Sequence, residues 1–277
     1  MINNINDMQK FAADARARGE TLGLVPTMGA LHEGHLSLIR RAASENSITI
    51  VSIFINPAQF DDPGDFSAYP SALHTDIDAA VSAGADVVFA PSAADMYPDG
   101  FSTYIDMSGV SEQLCGASRP SYFRGMLTVV AKLFGICRPD NAYFGEKDAQ
   151  QLAAISKMVN ELNVPVTIIG CPTVREEDGL AMSSRNVRLT TGERIAARCL
   201  YRSLNEIRAR FDDGECDPEA LKALIREILG SEPLIRIDYV EIVDPMTFDS
   251  VVTVSSGDLA CLAVYLGNTR LIDNQRF

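Results

Sequence analysis

The sequence predicts an α/β protein, built as a parallel sheet with helices on both faces and followed by a smaller C-terminal α+β domain. Three observations carry this. Short apolar, β-branched runs alternate with segments of helical periodicity through residues 7–170, the pattern of successive βαβ units. Several runs are apolar at nearly every position rather than at every second one, as strands covered on both faces require. Beyond residue 175 the alternation stops, and two helices are followed by β-rich segments split by Gly and short polar turns. The expected division is a Rossmann-like domain over residues 1–175 and the smaller domain over 176–277.

The elements follow in order. From Asp7 to Arg18, Met8, Phe11, Ala12 and Ala15 recur at helical spacing, with Asp7 placed to cap and Gly19 to terminate. "TLGLVP" reads as a buried strand, residues 32–45 as a helix, and "SITIVSIFI" as a central strand. A helix over 72–83 and the strand "ADVVFA" extend the pattern. A helix over 126–136, the strand "NAYFG", a helix over 147–162 and the strand "VPVTIIG" complete it. In the second domain, helices are expected over 191–211 and 218–229, with strands at "IRIDYVEIVD", "SVVTV" and "DLACLAVYLG".

Composition narrows the function. A net charge of −13 speaks against a general nucleic-acid surface, because phosphate backbones are gripped by clustered Lys and Arg. Any anion must be held locally, against the overall field. Six scattered cysteines without a CxxC pair point to reduced thiols rather than zinc or a disulfide framework. With no run of about 18 apolar residues and no leader-like start, a soluble cytoplasmic protein without a membrane partner is expected.

Neither a GxxxxGK[ST] loop nor a GxGxxG fingerprint occurs. "PTMGALHEGHLSL" offers another anion device. It holds His32 and His35, two of only three histidines, between a strand and the helix it opens. Unpaired N–H groups and the positive dipole end at a helix start attract phosphate. Histidines three apart share a face there, and Gly34 lets a ligand approach the backbone. Helix capping is the plainer alternative. Spacing alone does not choose the anion.

Three further segments fall at strand or domain ends. "FGEKDAQQL" supplies Lys147 as a point charge, with Gln150 and Gln151 as polar contacts. "LAMSSRN" supplies Ser183, Ser184 and Arg185 as a mobile clamp, or else a simple linker. "IFINPAQFDD" supplies the uncharged amides of Asn56 and Gln59, although a turn alone would explain Asn56 and Pro57.

Together with "VSIFINPAQF", "PDNAYFGEKDAQQL", "VREEDGLAMSSRN" and "LGNTRLIDN", these segments resemble, in identity and order, the pantothenate synthetase family. Its members are AMP-forming ligases that join pantoate to β-alanine. "HEGH" resembles the HxGH signature of the wider nucleotidylyltransferase and class I aminoacyl-tRNA synthetase superfamily, and "MSSR" its second signature loop.

The resemblance implies ATP as substrate, Mg2+ beside it, a pantoyl adenylate intermediate and a homodimer. It assigns His35 as catalytic proton donor, with His32 and Lys147 assisting. The implied ATP contacts are Met28, Gly29, Ala30, Leu31, His32, Glu33, Gly34 and His35, then Gly145, Glu146, Lys147, Asp148, Val174, Met182, Ser183, Ser184 and Arg185. Pantoate is implied to meet Gln59 and Gln151 with support from Asn56, β-alanine to meet Gln59, and the metal to meet Asp76. The chain departs from the common pattern at Cys115, where Glu is usual, and at Tyr122, where His is usual. Those departures leave room for a silent nucleotide-binding module, and the HxGH motif alone for a different nucleotidylyltransferase.

Overall fold

The structure, a computed structural model, describes residues 1–61, 63–67, 69–70 and 72–277. Asp62 of "IFINPAQFDD" and Ser71 beside the Asp76 helix lie outside that set. Strands β1 (Leu22–Thr27), β2 (Ile48–Ile53), β3 (Val87–Phe89), β4 (Asn141–Gly145) and β5 (Thr167–Cys171) form a parallel sheet of order β3-β2-β1-β4-β5. Every residue of β2 is buried, as its unbroken apolar run requires.

The two faces are sealed by different helices. Along β2, Ile48 and Ile50 join Leu22 and Leu24 in a core with α1 (Ile5–Ala17), α7 (Tyr122–Cys137) and α8 (Ala149–Glu161). Val51 and Ile53 join Val25 in a core on the other face with α2 (Glu33–Glu45) and α4 (Leu73–Ser82). Short helices α3 (Pro63–Ser67), α5 (Ala93–Met96) and α6 (Cys115–Ser118) fall in the connections between.

Helices α9 (Thr191–Asp212) and α10 (Pro218–Gly230) pack on an antiparallel sheet of order β6-β7-β8, formed by β6 (Ile235–Val243), β7 (Leu259–Leu266) and β8 (Thr269–Arg276). Leu200, Leu204, Ile225, Leu262 and Val264 build its core. The opposite face of this sheet, through Val243, Leu259 and Cys261, joins the α1/α7/α8 core of the parallel sheet.

Several boundaries differ from expectation for local reasons. Helix α1 begins at Ile5 because Asn4, not Asp7, is the cap, its side chain accepting from the N–H groups of Asn6 and Asp7. Helix α7 begins at Tyr122, four residues before the expected Met126. A 3-10 turn over Glu146–Asp148 precedes α8. "SVVTV" is not a strand; β6 and β7 pair directly, so this β-branched segment has no ladder beyond one bridge from Ser250 to Val243, and Val252 is 92% exposed. The last strand, β8, buries Thr269, Leu271 and Asp273 at alternate positions.

One close approach matters for the site. A methyl group on Gly125 would lie 2.0 Å from the Ala58 carbonyl oxygen, so α7 presses directly on the turn that carries Gln59. Gly125→Ala is expected to lower the melting temperature by several degrees, since overpacking costs about 1–3 kcal/mol. Gly135→Ala in the same helix meets nothing within 4 Å and should be neutral or stabilising by up to ~1 kcal/mol. Paired thermal melts check both, and equal effects at the two positions would contradict the packing argument.

Candidate active site

The sheet order reverses direction between β1 and β4, because the chain winds one way through β2 and β3 and the other way through β4 and β5. A crevice opens at the carboxyl ends of such strands. Here it is a cavity of about 1030 Å³, walled by the segments that follow β1 and β4, by the turn after β2, and by the 180–188 loop with β8.

The first wall is the turn from Thr27 into α2. Thr27 Oγ1 donates to the Ser52 carbonyl at 2.8 Å and accepts from the Gly29 N–H at 3.2 Å. Gly29 and Ala30 both have positive φ, +82° and +50°. The Asp76 carboxylate, buried on α4, locks this shape by accepting from the N–H groups of Ala30 at 2.9 Å and Leu31 at 2.8 Å. A methyl group on Gly29 would sit 2.9 Å from that carboxylate. Asp76 therefore holds the turn from behind rather than facing the cavity, which departs from its expected place as a metal ligand.

His32 caps α2, and its backbone N–H donates to His35 Nδ1 at 3.3 Å. That bond assigns the His35 proton to Nε2. The two rings are 4.0 Å apart. Burial, then the neighbouring His32 and Lys147, push His35 down to about 3; burial and Lys147 also lower His32. Both rings are neutral at pH 7, so they offer N–H donors to an anion without bringing charge. His32 Nδ1 is buried with no hydrogen-bond partner among the described residues.

The second wall follows β4. Asn274 on β8 donates to the carbonyls of Glu146 at 3.0 Å and Lys147 at 2.9 Å, fixing the turn that presents Lys147 to the cavity. Gln150 has no free amide to offer a ligand. Its Oε1 accepts from the Cys115 N–H, and its Nε2 donates to the carbonyls of Val110 and Gln113. Gln151 is different: among the described residues only its Oε1 is engaged, by the Tyr122 hydroxyl at 2.9 Å.

The third wall is the turn after β2. Asn56 is 1% exposed and saturated, with Oδ1 accepting from Ala58 N–H and the Tyr97 hydroxyl, and Nδ2 donating to the Gly125 carbonyl and Gln59 Oε1. Gln59 Nε2 lies 2.9 Å from Met28 Sδ. Asn56 thus orients Gln59 and has no capacity left for a ligand.

The 180–188 loop closes the cavity. Arg185 and Arg188 both reach Asp65, at 3.0 and 2.8 Å, and Ser184 Oγ lies 3.3 Å from the Tyr69 hydroxyl. Burial works against the Asp65 charge, but the bonds from Arg188 and Arg185 outweigh it and hold the carboxyl below its usual range. Val174, Met182 and Ser183 line the same wall, whereas Gly29, Ala30, Leu31, Glu33 and Glu146 lie outside the lining. Sequence reasoning missed Asp65, Tyr69 and Asn274, whose partners lie 115 to 128 residues away along the chain.

The family described as Pantoate-beta-alanine ligase matches residues 1–276. The chain belongs to that family. It is 52% identical to the pantothenate synthetase of Heliobacterium modesticaldum, over 99% of this chain and 98% of that one. The Geobacter sulfurreducens pantothenate synthetase is 51% identical over 99% and 97%. Among solved structures, a pantothenate synthetase from Thermus thermophilus superposes with a TM-score of 0.94 at 40% identity, covering 99% of this chain and 98% of that one. Pantoate-beta-alanine ligase from Francisella tularensis, complexed with beta-gamma ATP and beta-alanine, gives 0.82 at 39% identity over 100% and 97%.

Cys115 and Tyr122, the two expected departures, have structural settings of their own. Cys115 Sγ lies 3.5 Å from two Arg270 nitrogens and 3.3 Å from the Tyr239 hydroxyl, where the second sheet meets the cavity. Tyr122 meets Gln151.

The His35 ring makes a pH prediction. It titrates near 6.5 when unfolded and near 3 when folded, so in that window the unfolded chain binds the extra proton and stability falls as pH falls. Asn at position 35 keeps an acceptor for the His32 N–H without titrating. Acidification from pH 7.5 to 5 should therefore lower the melting temperature of the native chain more than that of His35→Asn. Equal losses in calorimetry would refute the assignment.

Proposed function

We propose that this ligase condenses pantoate with β-alanine at the expense of ATP, through a pantoyl adenylate. The observation that carries the reading is the meeting, at one crevice, of the α2 start, Lys147 and the amides of Gln59 and Gln151, in a chain of this family. The beta-gamma ATP and beta-alanine complexed with the Francisella tularensis relative support the substrate choice.

A carboxylate is a poor acyl donor because its oxygen does not leave. Attack of the pantoate carboxylate on the α-phosphorus of ATP expels pyrophosphate and gives a mixed anhydride. The β-alanine amine, as free base, then attacks the acyl carbon, and AMP leaves with the electron pair. No covalent enzyme intermediate is needed, so the chain acts by alignment and by balancing charge.

In this reading Met28, His32, Gly34 and His35 of the first turn, Gly145, Lys147 and Asp148 of the second, Val174 and the Met182–Arg185 segment surround ATP. His35 serves as a neutral hydrogen-bond donor through Nε2, rather than as an acid, to a phosphate oxygen whose charge grows at adenylation. Lys147 supplies the full positive charge. Arg185 supplies a second one by exchanging the Asp65 carboxylate for phosphate, a like-for-like swap of anionic partners. Gln59 and Gln151 hold pantoate, Gln59 also meets β-alanine, and Asn56 acts by orienting Gln59.

Magnesium enters the proposal only with ATP. Among the described residues no three His, Cys, Asp or Glu side chains converge to hold a cation, and both Asp76 oxygens accept from backbone amides. The residues present do not fit a dedicated metal cage. The proposal extends, on the strength of the family, to a homodimer in the cytoplasm and to a division at residues 175/176. The substrates would sit where the 1–175 part meets 176–277. Among the described residues no helix is long and apolar enough to cross a membrane.

ATP–pyrophosphate exchange should require pantoate and proceed without β-alanine. Exchange that needs β-alanine, or none with pantoate, would end the adenylate route. Lys147→Ala should cut exchange by about a hundredfold or more, the scale for removing a positioned charge-stabilising group, with an unchanged circular dichroism spectrum. Turnover near the native rate would remove Lys147 from this role.

A further inference from the structure

We propose that Tyr122 is a positioning residue for the hydroxy-acid subsite: its hydroxyl fixes the Gln151 carboxamide with Nε2, not Oε1, turned to the cavity. The inference rests on the proposed contact between Gln151 and pantoate. It adds a residue that makes that contact directional.

A carboxamide has two nearly isosteric faces, one donating and one accepting, and a flip exchanges them. The Tyr122 phenol donates to Gln151 Oε1 at 2.9 Å, and among the described residues that is its one hydrogen bond. Turning the amide over would set Nε2 against the phenol oxygen and take from the hydroxyl the acceptor it now has. Burial raises the Tyr122 pKa well above its ordinary value, so the phenol keeps its proton at any working pH.

The ring that carries this hydroxyl is itself held. The Arg119 guanidinium lies 4.1 Å from its centroid, and Phe123 meets it edge-on at 5.1 Å. Arg119 also donates to the Gln59 backbone carbonyl at 3.1 Å and pairs with Asp61 at 3.4 Å. Tyr122 and the Gln59 turn are thereby parts of one frame. Gln59 is oriented by the same device, its Oε1 accepting from Asn56 Nδ2 at 3.0 Å.

The two glutamines thus line the cavity as a pair of uncharged donors, Gln59 Nε2 keeping one N–H beyond the one it gives to Met28 Sδ. Carboxylate and hydroxyl oxygens can accept from such a pair. An ammonium group, which has donors only, finds no acceptor there. The capped amides therefore favour the acid oxygens of pantoate over the amine end of β-alanine, without a charge that would compete for the phosphates.

Tyr122→Phe tests this, because it keeps the ring, the Arg119 stacking and the Phe123 contact and removes only the hydroxyl. In pantoate-dependent ATP–pyrophosphate exchange, the KM for pantoate should rise about tenfold, the scale of one lost hydrogen bond to an oriented group. The KM for ATP and the melting temperature should stay as in the native chain. In a Gln151→Ala background the same substitution should add nothing. Calorimetric titration with pantoate gives the same comparison for any variant too slow to assay.

An unchanged pantoate KM in Tyr122→Phe, beside a raised one in Gln151→Ala, would overturn the inference and leave the subsite reading standing. An equal loss with and without Gln151 would assign Tyr122 a packing role and overturn it too. A native pantoate KM in Gln151→Ala would remove the subsite reading, and this inference with it.

Discussion

The reversal of strand order between β1 and β4 is the constraint on which the rest of the molecule depends. Crossovers that leave on opposite faces cannot cover the strand ends between them, so an opening forms there without any dedicated side chain. The turn after β1 delivers two histidines to that opening, and the turn after β4 delivers a lysine. What remains is to hold each turn in one shape. Asp76 does this from α4 for the first turn, and Asn274 does it from β8 for the second.

The charge problem is solved locally as well. A chain with a net charge of −13 repels anions at long range, yet the cavity gathers Lys147, Arg185 and Arg188. Asp65 keeps the two arginines paired within the loop wall. Burial and the same lysine keep the histidines uncharged, so they add no charge to the cations already there. Neutral donors then set direction, and full charges set strength.

Much of this was legible in the residues themselves. Unbroken apolar runs gave the parallel sheet, because strands covered on both faces have no polar side to show. "HEGH" and "GEKD" could be placed because strand ends and helix starts are local signals, and "MSSR" because the polar segment between the two halves breaks the alternation. The failures share a cause. "SVVTV" has the composition of a strand but pairs through a single bridge, Ser250 to Val243, and pairing is not written in a segment. The resemblance assigns Asp76 to the metal, and the segment itself does not show that the space left by Gly29 brings its carboxylate against two backbone amides. Gln150 and Gln151 are adjacent and chemically identical, and only Val110, Gln113 and Cys115, brought from elsewhere in the chain, make the first a peg and leave the second facing the cavity.

The bonds that finish the cavity join parts of the chain far apart in sequence. Asn274 reaches Lys147 across 127 residues, and Arg185 reaches Asp65 across 120. The paired strands β1 and β2, by contrast, meet through residues such as Thr27 and Ser52, 25 apart. Closing a longer loop forfeits more chain entropy, although the increase is slow. Contacts of long sequence separation also tend to form late. The pairing of β1 with β4 that frames the crevice is equally distant, Gly23 meeting Asn141, so the crevice and its finished interior both wait on contacts of long sequence separation.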